Sequence, residues 1–321
     1  AMFLVHDVSD VMLYGGGTLD GNKAAASGKG NTGVQVLGGA SGITISDLCI
    51  KQFASRNSGA NEGDGIIIGY EAGIADVLVR NCRIDDNDRN GISVTSGTRI
   101  RLVDNVLTNH TADGGSGAPG AAIDIEPDAT DDVDDIIVTG NQVDTSRLGI
   151  LVIYAGGTTN RAVVSDNTVK NITGTDCYGI ELAVPDVVCT SNSIYDAPYG
   201  IYCFSGVASR ATISGNSITS CANGGIYAGG GGTIQGNTIL DCGSTTAGEV
   251  PIYVNAGSGS IGGNIIRDTR GSGAPAYGIQ AVSAAVGANW SLGENIILGY
   301  ATAQTLNLSG VTSEITSTIN F

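Results

Sequence analysis

Asp124 and Glu126 stand two residues apart in the run Gly120-Ala121-Ala122-Ile123-Asp124-Ile125-Glu126-Pro127. Side chains of an extended strand alternate faces, so Ile123 and Ile125 point one way and the two carboxyls the other. Their Cα atoms would lie roughly 6.6 Å apart, near enough for one carboxyl to give a proton while its neighbour takes one. Breaking a glycosidic bond asks for such a pair, one protonated and one ionised, and their separation decides between inversion and retention. Glu126 is assigned as general acid and Asp124 as base, with Asp64 or Glu181 assisting. A run rich in Gly, Ser, Ala and Pro (residues 111–120) precedes the strand, and an acidic run (residues 128–135) follows it. The plain alternative is a solvated strand whose acids are structural only.

What positions these acids is a repeat. An Asn beside an apolar strand recurs at Asn81, Asn105, Asn141, Asn167, Asn192, Asn216, Asn237, Asn264 and Asn295, mostly about 21 to 31 residues apart. Between them come Gly-Ile strands at Ile66, Ile92, Ile150, Ile180, Ile201, Ile226 and Ile279, with Ile123 and Ile252 in the same phase. No stretch sustains a helical period, and Gly, Asn, Asp and Ser separate the short strands. A unit this short cannot bury an apolar face alone. It must stack on its neighbours, each strand hydrogen-bonded to its equivalent above and below. The chain therefore reads as all-β, a parallel β-helix of about ten to twelve coils in a single domain over residues 1–321, with an asparagine ladder at one corner.

Stacking the Gly-Ile strands in phase gives one outward column of Ile67, Ser93, Asp124, Leu151, Glu181, Tyr202, Tyr227, Tyr253 and Gln280. Beside it runs a second column with Asp64, Asn90, Ala121, Leu148, Tyr178, Tyr199 and Tyr277. Coils lie about 4.8 Å apart, so this face carries acids in its first half and tyrosines in its second. Rings beside carboxyls suit a sugar chain, the rings stacking on pyranose faces and the acids bonding hydroxyls or doing chemistry. Tyr154, Tyr178, Tyr202 and Tyr227 are the candidates for substrate binding, although tyrosine also simply suits an exposed strand. A β-elimination would instead need a base next to a uronate carboxylate and a cation to neutralise it. His110, Arg147 and Tyr154 could supply those groups.

Gly15-Gly16-Gly17-Thr18-Leu19-Asp20-Gly21-Asn22 and Asn61-Glu62-Gly63-Asp64-Gly65-Ile66, set within the repeats, carry a family likeness. The pattern resembles the right-handed parallel β-helix of the pectate-lyase and polygalacturonase type and of phage tailspike depolymerases. The resemblance covers nearly the whole chain and implies a polysaccharide partner, with Asp64 as a groove carboxylate. The family's Asp-Asp and Gly-His-Gly strands have no match, since the next unit begins Asp88-Arg89-Asn90-Gly91. The fold hosts several chemistries: a hydrolase is expected first, a uronan lyase or C5-epimerase second, a non-catalytic glycan-binding tailspike or adhesin third. The tailspike resemblance further implies a homotrimer and a location outside the cell or on a virion surface.

Composition agrees with a repeat protein. Fifty glycines with 14% charged and 5% aromatic residues are unusual for a globular mixture. A net charge of −16 argues against a nucleic-acid partner, and no apolar run is long enough to span a membrane. Seven cysteines without a CxxC pair read as reduced core thiols. Asp128, Asp131, Asp132, Asp134 and Asp135 could offer oxygen ligands to Ca²⁺, but their spacing matches no calcium loop, so a solvated acidic loop without a cofactor is expected. The chain opens directly into Phe3-Leu4-Val5, as though a cap or earlier coil preceded it. Residues 302–321 read as a last coil or the stub of a C-terminal element.

Overall fold

The structure, a computed structural model, describes residues 1–25, 30–55, 63–111, 120–128, 130–204, 210–246, 248–271, 273–281 and 290–300, and beyond these the strands Leu306–Asn307 and Ile319–Asn320. Two compact units divide the chain, Ala1–Gly174 and Thr175–Phe321. Each is built from coils of three short strands that pair in parallel with their equivalents one turn away. The first unit has six such coils. The second has five between Tyr178 and Leu298, followed by the two short strands.

In the first unit the first sheet runs Phe3–His6, Val34–Leu37, Ile66–Ile68, Ile92–Val94, Ala121–Ile125 and Leu148–Val152. Ile66, Ile92, Ile123 and Ile150 stack in register and are fully buried. The second unit repeats this with Ile180, Ile201, Ile226, Ile252 and Ile279. Each such isoleucine removed from water contributes about 1.5–3 kcal/mol, and the stacking leaves only one register in which all of them face inward. The expected parallel β-helix and its phase are therefore what forms.

The asparagine ladder forms as well. In the first unit Asn105 Nδ2 donates to Asn141 Oδ1 and Asn141 Nδ2 to Asn167 Oδ1, each at 3.0 Å. In the second, Asn192, Asn216, Asn237, Asn264 and Asn295 continue the same relation at 2.9–3.0 Å. The residue before most ladder positions takes a left-handed backbone, as at Asp104 (φ 54°), Gly140 (φ 70°) and Asp166 (φ 57°). Asp, Asn and Gly tolerate that conformation best, which explains the recurring pairs. Asn81 departs from expectation: it occupies the left-handed position itself (φ 51°), and buried Cys82 takes the ladder site, its N–H donating to Asn105 Oδ1 at 3.0 Å. All seven cysteines are free thiols and six are buried.

On the second sheet of the first unit, Asp76, Arg99, Asp135 and Arg161 all take left-handed backbone (φ 53–56°) and pair outward. Arg99 binds Asp76 through two bonds of 2.6 and 2.7 Å, and Arg161 Nε reaches Asp135 at 2.5 Å.

Candidate active site

The acids of the first unit converge because two columns of the first sheet bring them together. Ser93 pairs in register with Asp124 on one side and with Ile67 on the other. Asp64 and Asn90 precede the glycines that open successive strands, so they stack one above the other. Asn90 N–H donates to Asp64 Oδ1 (2.9 Å), and Ser93 Oγ donates to Asp64 Oδ2 (3.3 Å). Arg89 Nη1 lies 3.5 Å from the same Oδ2. Asn90 Nδ2 donates to Asp124 Oδ2 (2.8 Å) and to Ser93 Oγ (3.0 Å), while Asn90 Oδ1 accepts from Ala121 N–H (2.9 Å).

These acids were expected on the outward wall of a groove, and the burial of Asp64 and Asp124 is the main correction. Asp64 is 0% and Asp124 2% exposed, and Ile67, Ser93 and Leu151 in the same column are buried too. Alternation decides which face a side chain takes, not whether that face is covered. Burial disfavours a charged carboxyl. It pushes Asp124 up to about 8, with Glu126 and Asp64 adding repulsion that Arg89 and Asn90 only partly offset. Asp64 is pushed up to about 6 by burial, against Arg89, the Asn90 N–H and Ser93. Glu126, half-buried just past the strand, is raised by burial as well, with Arg89 opposing and Asp128 reinforcing.

At neutral pH, Asp124 is thus held protonated and Asp64 is fully engaged by three donors. Glu126 is the carboxyl of the three with solvent access. Among the described residues Asp124 Oδ1 has no hydrogen-bond partner. The arrangement seals Asp124 in a setting that favours its protonated form and leaves Glu126 half open to solvent, so the two carboxyls stand in unlike environments.

Arg89 and Tyr70 are the members that sequence reasoning missed. Arg89 stands in Asp88-Arg89-Asn90-Gly91, next to the column position that Asp64 fills one coil earlier, and that offset was the available signal. Its guanidinium is held charged by Asp64 first, then Tyr70 and Asp124, against the cost of burial. The Tyr70 hydroxyl is pushed up to about 12 by burial, with Arg89 opposing.

The other predicted residues lie elsewhere. His110 is not a groove residue in a loop; it ends the strand Val106–His110 on the third sheet and is fully buried in the coil interior. Burial lowers its imidazole to about 4, so it is neutral and enclosed. Arg147 is half-buried before the strand Leu148–Val152, and Tyr154 is exposed beyond that strand's end. The acidic run is not all loop: Asp132 and Asp134 lie in the strand Asp132–Thr139, and with Asp131 they line an open depression beside Ser96 and Thr98. Among the described residues, however, no three acids, histidines or cysteines converge as a metal cage requires. Asn61 and Glu62 lie outside the described residues, as does most of residues 302–321.

Glu181 belongs to the second unit, half-buried in register with Tyr202 and near Tyr178. The tyrosines there stack on one another. Tyr178 and Tyr202 ring centroids are 4.4 Å apart, Tyr202 and Tyr227 4.4 Å with 13° between planes, and Tyr227 and Tyr253 5.2 Å. Both faces of Tyr202 and of Tyr227 are therefore occupied by neighbouring rings, and what they present outward is edges and hydroxyls. Asn255 Nδ2 donates to the Tyr227 hydroxyl at 2.5 Å.

Comparison with known proteins adds a family and a fold. The family model described as "Right handed beta helix region" matches residues 7–183 and 149–312. A polygalacturonase of Cochliobolus carbonum is 30% identical over 145 residues, 44% of this chain and 36% of the relative. The chain thus matches only about a third of that relative's length.

Three solved structures share the fold. A GH136 lacto-N-biosidase from Eubacterium ramulus superposes with a TM-score of 0.58 at 13% identity, covering 99% of this chain and 68% of that one. The A-module of the Azotobacter vinelandii mannuronan C-5 epimerase AlgE4 gives 0.52 at 18%, covering 89% and 78%. The Dettilon tailspike protein gives 0.52 at 17%, covering 95% and 61%.

Proposed function

The chain belongs to the right-handed β-helix family, and from that premise we propose that it is a polysaccharide hydrolase working by general acid–base chemistry. Asp124 is the proton donor to the glycosidic oxygen, and Glu126 is the ionised partner that activates water or attacks the sugar carbon. Asp64 holds the scaffold of the pair through Asn90, Ser93 and Arg89. The observation that carries this is the contrast in environment. Two carboxyls two residues apart experience opposite settings, one sealed and held near 8 and the other half open. Such a split is what separates an acid from a base on one strand. The partial match to a polygalacturonase supports a carbohydrate substrate.

For substrate to reach the buried Asp124 Oδ1, the groups packed against the cluster must shift. In the second unit, Glu181 and the tyrosine edges are proposed to bond sugar hydroxyls rather than to stack on sugar faces. The site of action is proposed to be outside the cell or on a virion surface. The trimer implied by the resemblance to tailspikes would appear in light scattering at three times 32.3 kDa.

The test is incubation with a panel of bacterial and plant polysaccharides, following reducing ends and ultraviolet absorbance together. New reducing ends without absorbance support hydrolysis. Reducing ends with the absorbance of an unsaturated uronate point to a lyase, and neither signal leaves epimerisation or glycan binding alone.

A further inference from the structure

Asn90 joins Asp64, Ser93 and Asp124, yet no charge change can occur on it. It is fully buried. Its Oδ1 accepts the Ala121 N–H at 2.9 Å, and that bond fixes which way the amide points, because only the oxygen can accept. The Nδ2 group must then face the other side, where it donates to Asp124 Oδ2 at 2.8 Å and to Ser93 Oγ at 3.0 Å. An Asp124 oxygen that already receives an N–H is a poor place for a proton. Oδ1 is the other oxygen, buried and without a partner among the described residues. A buried polar atom left unpaired is costly, and one that persists calls for an explanation in ligand or mechanism.

We propose that Asn90 is a positioning residue: by donating to Asp124 Oδ2 it places the carboxyl proton on Oδ1, the one oxygen left to meet an incoming oxygen atom of a sugar. This rests on the proposed hydrolase reading for its function, but not for its geometry. The step balances simply. The Oδ1–H proton moves to the glycosidic oxygen as the bond between that oxygen and the anomeric carbon breaks, and the electron pair left on Asp124 makes it a carboxylate. That carboxylate is born next to Asn90 Nδ2, which bonds the charged form more strongly than the neutral one. Asn90 thus both directs the proton and eases its departure. The charged groups facing Asp124 are Glu126 and Asp64, which oppose ionisation, and Arg89, which favours it. Asn90 is the neutral donor among them.

The experiment is infrared spectroscopy of the protonated carboxyl stretch across pH. The Asp124 band is identified by its loss in Asp124→Asn, in the wild type and in Asn90→Ala and Asn90→Asp backgrounds. Asn90→Asp keeps an acceptor for the Ala121 N–H and serves if Asn90→Ala does not fold. In Asn90→Ala the C=O at Oδ2 loses its donor, so the band is expected at higher frequency; in Asn90→Asp a second buried carboxyl replaces the amide and opposes ionisation, and in both the titration midpoint is expected to rise by about one pH unit.

On a substrate found by the polysaccharide panel, kcat is expected to fall about 10- to 100-fold with KM little changed, and the alkaline limb of the rate profile to move up with the band. A band and midpoint unchanged in both variants would overturn the proposal. Wild-type protein that cleaves nothing while the band still moves would overturn the hydrolase reading and leave the placement of the proton standing.

Discussion

The residue that follows the core isoleucine is put to different use in the two units. In the first unit it is Ser93, then Asp124, then Leu151, all buried, with Asp124 held neutral by its surroundings. In the second it is Glu181, Tyr202, Tyr227 and Tyr253, half-buried, with the rings stacked against one another. The inward isoleucines are alike in both. The difference teaches that the core of a β-helix fixes where an outward side chain stands, while its neighbours one coil away decide what it can do. A buried carboxyl with another carboxyl beside it is held neutral; a ring with rings beside it becomes packing.

The largest expected effect breaks the comparison at its acidic end. Asp124→Asn or Glu126→Gln should lower polysaccharide cleavage by about 10²- to 10⁴-fold, read as reducing ends. Asp124→Asn should also stabilise the fold as pH rises. The folded-state value of Asp124 is about 8 against 3.8 for an ordinary Asp, so the folded protein holds the proton more tightly than the unfolded chain. Its favourable contribution is present below about pH 4 and is lost between about 4 and 8. The Asn variant has no proton to lose. Its melting temperature should therefore pull ahead of the wild type across that window, and a constant gap would contradict the sealed, neutral Asp124.

Next come the shared isoleucines. Ile123→Ala and Ile226→Ala should each cost about 2–5 kcal/mol in denaturant unfolding, with similar values in the two units. A much smaller loss in one would mean that its interior is looser than the register implies.

A smaller effect sharpens the aromatic end. Tyr227→Ala removes a ring stacked on both faces, and should lose about 0.5–1.5 kcal/mol beyond the area it buries. It should raise KM for a polysaccharide only by the roughly 2- to 10-fold that one lost hydrogen bond from its hydroxyl is worth, because neither face was open to a sugar. A large rise in KM with unchanged stability would restore the sugar-stacking expectation. Smallest of all, Arg99→Ala should leave the melting temperature unmoved, since its pair with Asp76 lies in water.

The fold was legible because two periods coincide in the sequence, the Gly-Ile strands and the Asn corners, and both are set by backbone geometry. The shift from Asn81 to Cys82 was not, since either residue fits its local turn and only the stacking with Asn105 selects between them. Asp64, Asp124 and Glu126 were found by alternation. The burial of Asp64 and Asp124 escaped because cover comes from residues distant in sequence. Arg89 was passed over because its segment, Asp88-Arg89-Asn90-Gly91, was read only as the start of the next unit. The tyrosine stacking was within reach: rings at van der Waals contact need most of the roughly 4.8 Å between coils, which leaves no room for a sugar between successive tyrosines of one column.

The most direct test of the account is a carbon-13 titration of the carboxyl groups, with Asp124 and Glu126 assigned by their loss in Asp124→Asn and Glu126→Gln. The account predicts an Asp124 midpoint near 8 and a lower one for Glu126, so that the pair is split between acid and anion at neutral pH. An Asp124 that titrates near the ordinary value of 3.8, or together with Glu126, would contradict it.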